Sequence, residues 1–277
     1  MRLSRTITVL GGDARQTLLA RALTARGYPV ECHGVPGLPD SRDDLSESIR
    51  RAGVLLLPMP AVSDGCIRGT ALDAAQLLRD VQPGTRICGG RLAGLPIPEG
   101  CPVYDLGGDE ALAVLNAVPT AEAAIAIALG KLRRTLWGSP VLVVGCGRIG
   151  KLLAQRLLSF GSRVSVSSRK DADAAWCESL GCIPERTGAY RAPLSEYRCI
   201  FSTVPAPVFT PEQLKSIAPD CPVIDLASLP GGLPQGCPAP EGYTPALALP
   251  GKFFPETAAE LILSRLLPYL ETEACHV

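Results

Sequence analysis

The sequence predicts an α/β protein of two doubly wound halves with parallel sheets, joined by a long helix and ending in a helix that crosses back. Three observations predict it. Residues 139–170, SPVLVVGCGRIGKLLAQRLLSFGSRVSVSSRK, read as strand, glycine-rich turn, helix and strand. Residues 6–32 repeat that order of elements. Shifted by 134 positions, Val9, Gly11, Leu18, Leu19, Ala20, Leu23, Gly27 and Val30 fall on Val143, Gly145, Leu152, Leu153, Ala154, Leu157, Gly161 and Val164.

In the first half, residues 6–10 form a strand and Gly11-Gly12-Asp13 a turn. Residues 14–26 form a helix whose apolar side carries Leu18, Leu19, Ala22 and Leu23, closed by Gly27. Strands follow at 28–32, 54–57, 85–88 and 102–104, with helices at 43–51 and 72–81 and a helical turn or two at 109–116. Pro119 and Glu122 predict a new, long helix starting at 119. Its alanines, Ala121, Ala123, Ala124, Ala126 and Ala128, suit close packing.

In the second half, strands are predicted at 141–144, 164–168, 199–203, 223–226 and 243–247. Helices are predicted at 171–180, 211–217 and 255–270, with a turn at 250–252. The expected divisions are a substrate-side half at 1–118, a connecting helix at 119–138 and a dinucleotide half at 139–254, with 255–277 packing back on the first half.

Gly145, Gly147 and Gly150 make G-x-G-x-x-G between a strand and a helix, the setting that gives this motif meaning. Gly145 permits the tight turn, Gly147 lets backbone approach a pyrophosphate, and Gly150 lets helix pack on strand. Arg148 and Ile149 open the helix, whose free N–H groups suit the anion. The turn predicts a Rossmann-like dinucleotide site. An NAD site carries an acid about twenty residues on. Here Ser167, Ser168, Arg169 and Lys170 stand at the strand end, with no acid before Asp171. Two cations and two hydroxyls suit a 2′-phosphate, so NADP(H) is the expected cofactor. Thr203, Val204 and Pro205 end a later strand at the edge that lies on the nicotinamide side. Cys146 lies within the turn, as an oxidation-sensitive thiol or as a small turn-filling residue.

The first half lacks the fingerprint, having Asp13 and Gln16 in place of Gly147 and Gly150. Its turn still opens a helix. Gly12, Asp13 and Arg15 either bind a carboxylate or serve as cap and solvated cation. Thr120 and Glu122 either touch substrate from a helix start or only cap it. Ser228, in the loop after residue 226, and Lys252, in the turn at 250–252, complete the substrate-side candidates.

Composition narrows the class. Lys+Arg 27 balances Asp+Glu 27, which argues against nucleic acid and anionic membrane as partners. No apolar run is expected to approach a membrane span, and the N-terminus has no signal-peptide pattern. Eleven cysteines, an odd number without C-x-x-C, and only His33 and His276 as histidines make a zinc site unexpected. Reduced thiols in a cytoplasmic protein are the plain reading.

Six segments carry a resemblance. GGDARQ at 11–16, PTAEAAI at 119–125, GCGRIGKLLA at 145–154, STVPA at 202–206, IDLASLPGG at 224–232 and LPGKFFPETAAEL at 249–261 resemble the family of dipicolinate synthase A subunits, in its order and over nearly the whole chain. Lys252, Phe253 and Phe254 depart from the smaller apolar residues expected there. The architecture also resembles alanine dehydrogenase and the D-2-hydroxyacid dehydrogenases. The resemblance implies oxidation of dihydrodipicolinate to dipicolinate with NADP⁺, in the mother cell of a sporulating bacterium. It implies, as partner, the flavoprotein-like B subunit of dipicolinate synthase, and a homo-oligomer is possible.

On that reading Arg15, Lys252 and the helix starting at Pro119 are the cations and helix start offered to two substrate carboxylates. Asp13 or Glu122 is the candidate acceptor of the ring proton. A hydroxyacid dehydrogenase needs a base for a hydroxyl proton, and neither histidine is placed for it. Two other readings stay open: a dehydrogenase of another small hydroxy or amino acid, and a non-catalytic dinucleotide-binding protein that serves a partner enzyme.

Overall fold

The computed structural model describes residues 6–272. The chain forms two units, Met1–Asn116 with Phe254–Val277, and Ala117–Phe253. In chain order the elements are β1 (Ile7–Leu10), α1 (Ala14–Ala25), β2 (Val30–His33), α2 (Leu45–Arg51), β3 (Val54–Leu56), β4 (Val62–Ser63), β5 (Cys66–Ile67), α3 (Ala74–Arg79), β6 (Arg86–Gly89), β7 (Val103–Asp105) and α4 (Glu110–Lys131). They continue with β8 (Pro140–Val144), α5 (Arg148–Ser159), β9 (Arg163–Ser168), α6 (Asp171–Ser179), β10 (Ile183–Arg186), a 3-10 turn (Leu194–Glu196), β11 (Cys199–Ser202), α7 (Pro211–Ser216), β12 (Val223–Asp225), β13 (Tyr243–Pro245), α8 (Leu249–Phe253) and α9 (Pro255–Glu271).

The first unit is built on a parallel sheet of order β2-β1-β3-β6-β7. The order reverses between β1 and β3, and in such sheets ligands bind outside the carboxyl ends of the strands at that point. One face of the sheet packs Leu19 and Leu23 of α1 with Ile262 and Leu266 of α9. The other packs Leu77 and Leu78 of α3 with Ile49 of α2. Two further contacts tie α9 to the first unit. Arg86 donates to the carbonyls of Tyr269 and Leu270, and Tyr104 stacks on Tyr269 at 4.8 Å between ring centroids.

The second unit has a six-stranded parallel sheet of order β10-β9-β8-β11-β12-β13. Numbered within the unit this is 3-2-1-4-5-6, the Rossmann order, with its switch point between β8 and β11. The α/β architecture with parallel sheets is as the sequence predicts.

Three expectations are corrected. The long helix begins at Glu110 and ends at Lys131, not at 119 and 138, and Pro119 lies inside it. The start signal is Asp109, whose carboxylate accepts from the Leu112 N–H at 2.9 Å and whose carbonyl accepts from Ala113. A helix body tolerates one proline at a cost, and the alanine-rich segment carries it. Second, this 22-residue helix is long and apolar enough to cross a membrane by length and composition. Its buried Ala121, Ala123, Ala124, Ile125 and Ala128 equally suit a core helix. Third, the expected turn at 250–252 is part of the short helix α8.

Candidate functional site

In the second unit, β8 runs straight into the glycine turn. Gly145 has φ +103, and its N–H donates to the Ser167 carbonyl of β9 at 3.0 Å. A Cβ here would sit 2.4 Å from Thr203 Oγ1 and 2.8 Å from Val204 Cγ2, so Thr203 and Val204 lie directly against the turn. Thr203 is fixed there by its hydroxyl and its N–H, each donating to the Val144 carbonyl at 2.9 Å. Gly150 is required for packing, since a Cβ would fall 2.0 Å from the Gly145 carbonyl oxygen. Gly147 differs. It caps α5 in extended backbone, without a side-chain cap bond, and a Cβ there would meet nothing within 4 Å. Open space above a helix start is what a dinucleotide pyrophosphate needs. Gly145, Gly147, Arg148, Ile149 and Gly150 therefore fit the cofactor group that the motif predicts.

The end of β9 supplies the neighbouring surface. Ser168 is buried, and its hydroxyl donates to the Lys170 carbonyl at 3.1 Å. Arg169 and Lys170 are exposed. Asp171, the first acid after the strand, pairs with Arg186 at 2.9 Å. Arg169 and Val204 line a cavity of about 320 Å³ with Thr187, Pro207, Phe209 and Gln213. Pro205 is exposed beside it. A cavity of about 780 Å³ in the same unit borders Pro140 and Arg163, at the opposite strand ends. Volume alone thus does not mark the site; the switch point does.

In the first unit, Gly12 turns into α1, and a Cβ there would lie 2.1 Å from Gln16 Cγ. Asp13 caps the helix, accepting from the Arg15 N–H at 3.1 Å. Arg15, 9% exposed, holds the same carboxylate and donates to the Met59 carbonyl at 2.8 Å. Asp13 is the helix cap, as one alternative held, and Arg15 is buried on Asp13 and Met59 rather than solvated. The space enclosed by Asp13, Arg15, Gln16, Pro58, Met59 and Ile262 is only about 10 Å³, room for one water and not for a dicarboxylate. Arg68 approaches Asp13 at 3.9 Å and is more exposed than Arg15. Burial pushes the Asp13 carboxyl up, but the hydrogen bonds and charge of Arg15, with Arg68 behind, hold it below the ordinary carboxylate value.

The other candidates stand on elements of the second unit. Thr120 and Glu122 sit in the body of α4, which corrects their expected place at a helix start; α4 starts at its own cap ten residues earlier. Glu122 pairs with Arg156 of α5 at 3.0 Å. Ser228 is exposed in a loop anchored by Asp225, whose carboxylate accepts from the N–H groups of Ala227 and Gly232 and from the Tyr243 hydroxyl. Lys252 is exposed on α8 and belongs to the second unit. His33 is buried against Ser48 at 3.0 Å, so it is not an available base. His276 lies outside the described residues.

Sequence reasoning missed Arg68, Thr187 and Gln213. Arg68 follows β5, a strand of two residues, too short to show alternation. A signal existed in Gly69, where a Cβ would lie 2.4 Å from the Gly12 carbonyl oxygen, locking this loop onto the first turn.

Three comparisons set this geometry among known proteins. Residues 6–93 match the family of the N-terminal domain of the dipicolinate synthase A subunit. The dipicolinate synthase A subunit of Bacillus subtilis (strain 168) is 27% identical over 289 residues, covering 96% of this chain and 97% of that protein. A crystal structure of the same polypeptide of dipicolinate synthase from Bacillus subtilis superposes with a TM-score of 0.80 at 25% identity, covering 98% of each chain. The dipicolinate synthase A subunit from Bacillus halodurans gives 0.83 at 23% identity, covering 97% of this chain and 98% of that one. A transhydrogenase from Sinorhizobium meliloti gives 0.67 at 15% identity, covering 98% and 93%. The fold is common to them.

Proposed function

We propose that this chain, a member of the family of dipicolinate synthase A subunits, is an NADP-dependent oxidoreductase that converts dihydrodipicolinate to dipicolinate in the mother cell of a sporulating bacterium. The observation that carries the reading is the glycine turn between β8 and α5, with open space over Gly147 and a basic strand end at Arg169 and Lys170. The N–H groups opening α5 would hold the pyrophosphate, and Ser168, Arg169 and Lys170 the 2′-phosphate. Thr203, Val204 and Pro205 would border the nicotinamide side. Bound there, the nicotinamide supplies the hydride acceptor.

The chain's own residues bind and orient the dicarboxylate. Arg68, the cation of the first turn that is more exposed, is the first choice for a carboxylate. Ser228 and Lys252 remain proposals as substrate-side residues. Oxidation removes a hydride and a proton and leaves an aromatic ring. The product's stability lowers the demand on a base, so a carboxylate as weakly basic as Asp13, or water, can take the proton. The flavoprotein-like B subunit of dipicolinate synthase would be the partner of this chain.

The test is anaerobic. The purified chain, with and without that partner, is mixed with NADP⁺ and freshly generated dihydrodipicolinate. NADPH and dipicolinate are followed together. Equal amounts of both, formed faster than without protein, support the reading. Tight NADPH binding without turnover, even with the partner present, would instead leave a non-catalytic dinucleotide-binding protein.

A further inference from the structure

The residue between the first two glycines of the turn is a cysteine, and it does not stand alone. Cys146 Sγ lies 3.5 Å from Cys177 Sγ on α6. Cys182 lies just beyond, its N–H donating to the Cys177 carbonyl. Cys146 is half-buried, whereas Cys177 and Cys182 are buried at 2% and 5% exposure. All three are free thiols.

We propose that Cys146 and Cys177 form a redox modification site, where a peroxide converts the two thiols to a disulfide that disables the glycine turn. The inference rests on the turn holding the dinucleotide. The chemistry balances with hydrogen peroxide as oxidant. Cys146 is the sulfur within reach of solvent; its thiolate attacks the peroxide, the O–O bond breaks, and sulfenic acid and hydroxide form. Cys177 sulfur then attacks the sulfenic sulfur. The S–S bond forms, the S–O bond breaks, and the Cys177 proton leaves with the hydroxyl as water. Two thiols are oxidised and one peroxide is reduced to two waters.

Geometry favours this pair over the other thiols. Burial, together with the neighbouring Cys146, pushes Cys177 up to about 12, so it waits as a protonated thiol. Such a partner is a slow nucleophile in solution, but here it already touches the sulfur it must attack.

The consequence for the turn is mechanical. A disulfide is about 2.0 Å long, so the sulfurs must close by about 1.5 Å from their 3.5 Å contact. The turn has little slack on its other side. Gly145 is tight against Thr203, and its carbonyl oxygen is tight against Gly150. Drawing Cys146 toward α6 therefore shifts the backbone of Gly145 to Gly147, where the pyrophosphate is held.

The experiment uses the full chain, reduced and then treated with hydrogen peroxide. Peptide mapping by mass spectrometry reads the bridge, and titration with NADPH reads binding. The expected result is a Cys146–Cys177 bridge with a loss of about 2 Da, the two thiol hydrogens, NADPH affinity at least tenfold weaker, and recovery after dithiothreitol. Cys177→Ala leaves the turn's own residues in place and should bind NADPH as the reduced chain does, before and after peroxide. Cys177→Ser serves if the alanine variant folds poorly. A Cys146–Cys182 bridge, no bridge, or a bridge with unchanged affinity overturns the proposal. Failure of the reduced chain to bind NADPH or NADH would overturn the cofactor reading as well, and is distinguished by being present before oxidation.

Discussion

Arg15 grips the carboxylate of Asp13 through Nε at 2.9 Å and Nη2 at 2.7 Å, two positions along the same helix start. The guanidinium also donates to the Met59 carbonyl, so its charge is engaged inside the first unit. Asp13 in turn caps α1. Arg15 is thus a positioning residue for the turn, and under the proposed function Arg68 is the cation assigned to a substrate carboxylate.

Arg15→Ala is expected to lower unfolding stability by about 1 kcal/mol, through a half-buried carboxylate that loses its main partner. Arg68→Ala should keep stability within about 0.5 kcal/mol, as its ion pair with Asp13 is long and partly exposed. It should instead weaken dipicolinate binding about tenfold, the loss of one charge-assisted hydrogen bond. Thermal unfolding and calorimetric titration with dipicolinate check the pair. Loss of binding with unchanged stability in Arg15→Ala would reverse the two assignments.

Gly147 and Gly150 separate cofactor binding from folding. A methyl at Gly147 meets no protein atom within 4 Å, and the residue's φ of −82 suits any amino acid. Gly147→Ala should fold with an unchanged melting temperature yet lose at least tenfold in NADPH affinity, because the methyl occupies the pyrophosphate's approach. Gly150→Ala meets the Gly145 carbonyl oxygen at 2.0 Å and should lower stability by about 1–3 kcal/mol. Gly147→Ala binding NADPH normally would remove the turn from the cofactor site.

Much of this was legible in the sequence. The strand at Val141 to Val144, the glycine turn and α5 follow one another so closely that local pattern alone fixes them. The repeat at 134 positions located the first turn in the same way. What local pattern could not give is competition between signals. Pro119 reads as a helix start, but Asp109 caps the same helix earlier and the helix runs through the proline. Nor could it give partners far apart in sequence. That Arg15 closes on Met59, 44 residues away, and that Arg68 comes up to Asp13 depends on how loops pack, not on any spacing.

Under the proposed function, Arg169 carries the choice of NADP(H) over NAD(H). It lines the cavity beside Val204 and Thr187, while the first acid after the strand, Asp171, is paired with Arg186. Arg169→Ala is expected to weaken NADPH binding about tenfold and to leave NADH binding within about twofold, since only the 2′-phosphate is deprived of a partner. Fluorescence titrations with both nucleotides decide it. Equal losses for the two would make Arg169 a general backbone contact, and no loss for either would remove the 2′-phosphate assignment.

Asp109 gives a pH test of how α4 and α9 are pinned within the first unit. Its carboxylate caps Leu112 and pairs with Arg265 at 2.9 Å, and the Tyr104 hydroxyl donates to it. Burial raises its proton affinity, but these three donors outweigh that and hold the group at about 2, against 3.8 unperturbed. The folded value is the lower one. The stabilisation is therefore complete above the unfolded value of 3.8 and is lost as pH falls through about 2. Asp109→Asn should cost about 1–3 kcal/mol at pH 7, since an amide still caps but cannot pair with Arg265. The gap between wild type and variant should persist to about pH 4 and narrow steeply between about pH 4 and 2. Urea unfolding at about pH 7, 4 and 2.5 measures it. A gap as large at the lowest pH as at neutrality would mean that shape, not the charge of Asp109, holds the two helices in place.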